Sequence, residues 1–86
     1  MHYTTQRFWQ CYGSLPVNIQ RSADRSYELL KADPSHPSLH FKKIGNEYWS
    51  VRIGLNYRAL GVDVNKGILW FWIGNHAQYD KLISIK

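Results

Sequence analysis

Residues 48–79 read YWSVRIGLNYRALGVDVNKGILWFWIGNHAQY, and the order of apolar and polar residues in this stretch decides the fold. From Tyr48 to Ile53 the two kinds alternate, the period of a strand with one buried face. Trp49, Val51 and Ile53 point one way, and Tyr48, Ser50 and Arg52 point the other. Turn residues at Gly54–Asn56 and Asn65–Gly67 mark hairpins. Between them Tyr57–Val64 is apolar on both faces except at Arg58, as a central strand is, and Ile68–Ile73 is wholly apolar. Antiparallel strands with two arginines set into them look like a sheet built to hold an anion.

Working outward, Met1–Tyr3 is a short edge strand or a frayed end. Thr4 or Thr5 is placed to cap a helix carrying Phe8, Trp9, Cys11 and Tyr12 on one stripe. Gly13-Ser14 ends that helix, and Leu15-Pro16 opens a second one from Val17 to Ala32. Ile19, Ala23, Tyr27 and Leu30 form its apolar face, with Leu29 beside them. Gln20, Arg21, Asp24, Arg25, Glu28 and Lys31 make a polar face that reads as solvated. Asp33-Pro34 stops the helix, because a residue before proline avoids the helical region. Residues 34–38 form a stiff extended connector, and Leu39–Ile44 is the first clear strand, turned by Gly45-Asn46. Beyond Asn75, His76–Ile83 forms a short helix or turn. The expected fold is α+β: an N-terminal helical hairpin packed on one face of a four-stranded antiparallel sheet, with a short C-terminal helix or tail. Residues 1–86 make one domain.

At this length the buried fraction is modest, and the four Trp, six Tyr and three Phe supply the core area. The net charge of +5 is uneven: residues 39–86 hold seven Lys and Arg against three acids, whereas residues 1–38 hold four against three. A basic strand half suits a polyanionic partner. The single Cys11 excludes an internal disulfide and a CxxC metal or redox site, and reads as a small core residue. No apolar run approaches a membrane span and no signal peptide is visible, which makes the cytoplasm the expected location. No histidine has a carboxylate or cysteine at ligand spacing, so neither a metal nor another cofactor is expected. The glycine-rich phosphate loops and a nucleophile-elbow serine are absent as well.

Chemistry concentrates on one face. Arg52 and Arg58 need an anion, because an unpaired guanidinium is costly to bury and is also the side chain that grips phosphate with paired bonds. A structural alternative is an ion pair with Glu47, Asp63 or Asp80. His76 stands at the end of the last strand, at the rim of the same face, and imidazole is a side chain able to give or take a proton. Cations, His76 and Tyr79 with few acids are enough to cleave RNA without a metal. The ribose 2′-hydroxyl attacks its own phosphate while a base takes its proton, a guanidinium offsets charge, and an acid protonates the leaving 5′-oxygen.

The chain resembles the RelE/ParE superfamily of toxins from type II toxin–antitoxin systems over nearly its whole length. The resemblance rests on a GSLP-type link in the helical hairpin, DPSHPSLHFKKI, YWSVRIGLNYRALG and ILWFWIGNHAQYDKL. YWSVRI followed closely by NYRALG, and the closing IGNHAQYDKL, are its most specific pieces. In RNA-cleaving members the strand arginine of the YR pair contacts the scissile phosphate, which implies that role for Arg58. Arg52 is then the additional cation of the preceding strand, His76 the acid, and Tyr79 a residue that orients or stacks on a base. Lys42, Lys43, Tyr48 and Lys81 are the expected further RNA contacts. RelE carries lysines where this chain has Ser50 and Arg52. Members with a His–Tyr tail use a glutamate base near the connector, where Pro37 stands here, and His76 and Tyr79 are three apart rather than adjacent. The base is therefore open among His36, His40 and Glu47. The resemblance implies a cognate antitoxin as partner, and a ribosome-dependent mRNA endonuclease as activity. The alternatives are a gyrase inhibitor without chemistry of its own, or a remnant that only binds its antitoxin.

Overall fold

The computed structural model describes residues 1–84. Thr5 begins the first helix by accepting the Phe8 amide proton on its hydroxyl, at 3.0 Å. This helix, α1, spans Gln6–Gly13. After the Leu15-Pro16 link, α2 runs Val17–Ala32 and stops at Asp33, which stands before Pro34. Two side-chain bonds clasp the hairpin: the Tyr12 hydroxyl donates to Asp24 at 2.8 Å, and the Gln20 amide donates to the Tyr12 carbonyl at 3.0 Å. Asp24 and Gln20, read from sequence as solvated, thus fasten the two helices together.

The strands are β1 His2–Thr4, β2 Lys42–Ile44, β3 Tyr48–Ile53, β4 Tyr57–Val64 and β5 Gly67–Asn75, in sheet order β1-β5-β4-β3-β2. The expected four-stranded antiparallel sheet is therefore corrected to five strands, with β1 joining β5 in parallel. The edge strand is held at both ends, by Ile68 N–H on the Met1 carbonyl and by Thr5 N–H on the Trp70 carbonyl. Three residues show no period, so sequence alone left this segment open between strand and frayed end. The first expected strand is also shorter than expected. Pro37–Leu39 closes a 3-10 turn, driven by Leu39 entering the core at 1% exposure, and His40 leaves the turn at a positive φ of 46°. Ladder pairing starts only at Lys42.

The alternation assigned to β3 holds. Val51 and Ile53 join Ala23, Leu30, Leu39, Ala59, Trp70 and Ile73 in the core beneath the helices. The opposite face is closed too. Helix α3, His76–Ser84, folds back over it and buries Tyr79 against Leu60 and Trp72. Asn75 and Gln78 launch this helix by a reciprocal pair: Gln78 N–H donates to the Asn75 side chain at 2.8 Å, and Asn75 N–H donates to the Gln78 side chain at 3.1 Å. Ser50, expected on the open face, is consequently fully buried. Among the described residues no helix is long and apolar enough to cross a membrane.

The edge strand carries a pH-sensitive tie. The Trp70 indole N–H donates to His2 Nδ1 at 3.0 Å, which requires the neutral imidazole. Burial, then the nearby amino terminus and Lys31, push the His2 imidazole below its ordinary 6.5. Because the folded value is depressed, the unfolded chain binds the extra proton first, so this stabilisation is present above pH 6.5 and is lost as pH falls below it. Thermal denaturation from pH 7.5 to pH 5 should show a fall in midpoint that is smaller in His2→Asn, which keeps an acceptor and does not titrate.

Candidate functional site

Cross-strand register decides which side chains meet. Lys42, Ser50, Leu60 and Trp72 face one another across four strands, and in the adjacent row Arg52 faces Arg58, which faces Gly74. Directly paired residues share a face, so both arginines lie on the side that α3 partly covers. Between Leu60 and Gly61 the register slips, with Leu60 opposite Trp72 but Gly61 opposite Trp70. The extra residue is Phe71, and it packs on the same side as Trp72, against the Leu60, Trp72 and Tyr79 cluster. The bulge widens the aromatic floor beside the arginines. Gly74 has no room for a side chain: a Cβ there would stand 2.4 Å from the Trp72 ring and 2.6 Å from the Gln78 side chain.

Arg58 is half-buried on central strand β4. Its Nη1 donates a long bond of 3.4 Å to the Ser50 hydroxyl, and its guanidinium carbon stands 5.1 Å from the centre of the Tyr79 ring. Its Nε is buried without a hydrogen-bond partner. The acids offered as structural partners are engaged elsewhere. Asp63 takes Lys43 and, at 2.8 Å, the Trp49 indole N–H, and Asp80 lies 3.1 Å from His76 Nδ1. Glu47 occupies the β2–β3 turn, five residues along the chain from Arg52. Arg52 donates from Nε to the Gly54 carbonyl at 2.9 Å, and its Nη1 stands 3.3 Å from His40 Nε2. Two guanidiniums facing each other repel, and an anion between them would relieve that repulsion.

His76 is the first residue of α3, and its backbone N–H reaches the Asn56 carbonyl in the β3–β4 turn. Asp80, one helical turn on, takes the Nδ1 side, which leaves Nε2 as the outward nitrogen. The ring lies 5.8 Å from that of Tyr79. Tyr79 is only 6% exposed, so its ring forms part of the floor. Of the other expected contacts, Lys42 is exposed on the arginine face and Tyr48 is half-buried there, with its ring 5.9 Å from Phe71. Lys81 is exposed in the last turn of α3. Lys43 pairs with Trp49 and Gly61 in register and lies on the helix side, where Asp63 neutralises it. Its hydrogen bonds, the one from Lys43 above all, hold the Asp63 carboxyl below its ordinary value. Lys43 therefore does not join the cluster. Sequence reasoning left two contributors unplaced, Ser50 as the Arg58 acceptor and His40 as the Arg52 neighbour. The alternation had put Ser50 on this face, and the strand read into residues 39–44 hid the turn that aims His40.

Among the described residues no three His, Cys, Asp or Glu side chains gather as a metal site requires. The arrangement offers two guanidiniums over an aromatic floor with an imidazole at the rim. Such a surface can bind a phosphate and transfer a proton beside it.

A family model described as the ParE-like toxin domain matches residues 17–81. No curated protein matches the sequence. Among solved structures, the chain is similar to one from the RelB–RelE antitoxin–toxin complex of Methanococcus jannaschii, with a TM-score of 0.72 and 18% identity over 93% of this chain and 96% of that chain. It is also similar to the isolated E. coli RelE toxin, with a TM-score of 0.62 and 8% identity over 100% of this chain and 98% of that chain. At these identities the likeness is one of fold.

If the arginine pair is held for binding at the expense of stability, removing its charge should stabilise the fold. Arg58→Met should raise the unfolding free energy by about 1 kcal/mol, since it removes an unpaired buried donor and a like-charge contact. Chemical denaturation measures this. Added inorganic phosphate should raise the melting temperature of the wild type more than that of Arg58→Met.

Proposed function

The chain belongs to the ParE-like toxin domain family of the RelE/ParE superfamily, as a toxin of a toxin–antitoxin system, and on that premise we propose that it cleaves messenger RNA on the ribosome without a metal. The observation that carries this reading is the Arg58 guanidinium, half-buried with an idle Nε and with Arg52 directly opposite. A scissile phosphate takes both guanidiniums, which offset the charge that builds on its oxygens as the ribose 2′-hydroxyl attacks. His76 protonates the leaving 5′-oxygen from Nε2, with Asp80 holding Nδ1. Of the two roles expected for Tyr79, orienting is the one its burial favours, since its ring lies 5.1 Å from the Arg58 guanidinium carbon. Lys42, Tyr48 and Lys81 extend the contact along the RNA, and the electrostatic part of that binding weakens with salt. The toxin acts in the cytoplasm, and a cognate antitoxin restrains it, as RelB is paired with RelE in the complex from M. jannaschii.

The rival reading is a gyrase inhibitor with no chemistry of its own, and the ParE-like family model is the observation in its favour. Induction in cells separates the two. On the RNA reading, wild-type expression stops translation and cuts messages. Arg58→Ala and His76→Ala should each lower cleavage by about 10²–10³-fold and relieve growth arrest. DNA-damage induction with intact translation would instead identify gyrase as the target. Full toxicity of His76→Ala together with cut messages would remove His76 from the role of acid.

A further inference from the structure

We infer that His40 is the general base of the same site, a role that rests on the RNA-cleaving reading above. Three residues were open for it. His36 is committed to its own turn, where its Nδ1 accepts the Ser38 amide proton at 3.2 Å and stands 2.8 Å from the Ser38 hydroxyl. Glu47 lies before the start of β3, and at about 3.3 Å per residue it is roughly 16 Å from Arg52 along the strand. His40 alone is within reach, with Nε2 at 3.3 Å from Arg52 Nη1.

The nitrogen in that contact is in the right state. A guanidinium only donates, so His40 Nε2 accepts, and its lone pair points at Arg52 Nη1, beside the arginine pair proposed to hold the phosphate. When Arg52 turns its N–H groups to the phosphate, the lone pair is released beside the substrate. The layout across the sheet supplies the other half of the chemistry. Proceeding from the β2 side, His40 touches Arg52, Arg52 faces Arg58, Arg58 faces Gly74, and His76 follows Gly74 by two residues. A phosphate seated on the two arginines thus has one imidazole on each side. His40 Nε2 takes the proton of the 2′-hydroxyl as the 2′-oxygen–phosphorus bond forms. The phosphorus–5′-oxygen bond breaks and His76 delivers its proton to the departing oxygen. The products are a 2′,3′-cyclic phosphate and a 5′-hydroxyl, and no co-reactant is consumed.

The backbone supports a reason other than packing for histidine at this position. His40 is the only non-glycine residue at positive φ among the described residues, with φ 46° and ψ 41° at the end of the 3-10 turn. Glycine suits that conformation best, and asparagine tolerates it. The side chain is exposed, so its burial does not repay the strain. Glycine at residue 40 should therefore leave the fold intact, which makes the role testable.

The test uses the full chain and single-turnover cleavage of a message on programmed ribosomes. His40→Gly should keep or raise the thermal midpoint and lose about 100-fold or more in cleavage rate. Added imidazole should restore part of that rate. The fall in rate at low pH expected of the wild type, as the base takes up a proton, should disappear. His40→Asn, which can still accept from Arg52 but cannot take a proton at neutral pH, should be as slow as His40→Gly. Wild-type rates in His40→Gly overturn the assignment. So does recovery in His40→Asn, or slow cleavage with an unaltered pH profile and no imidazole rescue, because each marks a residue that only positions Arg52. If the wild type itself leaves the message intact, the RNA-cleaving reading falls and takes the base with it.

Discussion

Arg58 is a cation set into the middle of a sheet, and much of the site's architecture answers to that. Its neighbours on either side in register are Arg52 and Gly74, one of the same charge and one without a side chain. What holds it is the Tyr79 ring beside the guanidinium and one long bond to a buried serine. Neither replaces the hydration that a guanidinium gives up on burial. Arg52, directly opposite, brings a second positive charge to the same place, and an anion there would offset both. On the function proposed, the same deficit that costs stability in the free protein would supply affinity for a ligand of opposite charge.

Helix α3 makes this possible by closing the second face of the sheet. Without it Leu60 and Trp72 would be an apolar patch in water. With it they form a floor that excludes water beneath the arginines and raises their electrostatic effect. The cap formed by Asn75 and Gln78 fixes where that helix starts, and hence where His76 stands at the rim. One local hydrogen-bond pattern therefore positions both the floor and His76, the residue proposed as acid. The basic excess of the strand half is divided in a similar way. Lys43 is spent on Asp63 at the helix-side edge, whereas Lys42 remains on the arginine face.

Much of this was legible in the sequence. The alternation in YWSVRI placed Val51 and Ile53 under the helices and Arg52 on the other face, because a pleated strand leaves a side chain no third direction. The apolar stripe of residues 19–30 located the face of α2. The sheet edges were less legible. His2–Thr4 is too short to carry a period, and its place in the sheet depends on Trp70, 68 residues away from His2. Leu39–Ile44 carried a strand pattern, but Pro37 and the burial of Leu39 turned its first part into a 3-10 turn. The sequence N-H-A-Q at residues 75–78 is a capping signal that would have fixed the start of α3.

Local pattern was enough for the fold class, the faces of the long elements and the presence of two arginines on the side away from the helical hairpin. These are consequences of period and composition, which are local properties. Long-range packing set the rest: Arg52 and Arg58 stand directly opposite each other, Asp63 and Asp80 are occupied elsewhere, and the Tyr79 ring lies 5.1 Å from the Arg58 guanidinium carbon. It also decided that His40, twelve residues before Arg52 in the chain, touches it in space. Register, turn conformation and the return of α3 set these contacts. Each depends on which distant surfaces exclude water together, and that is not written in any single stretch of residues.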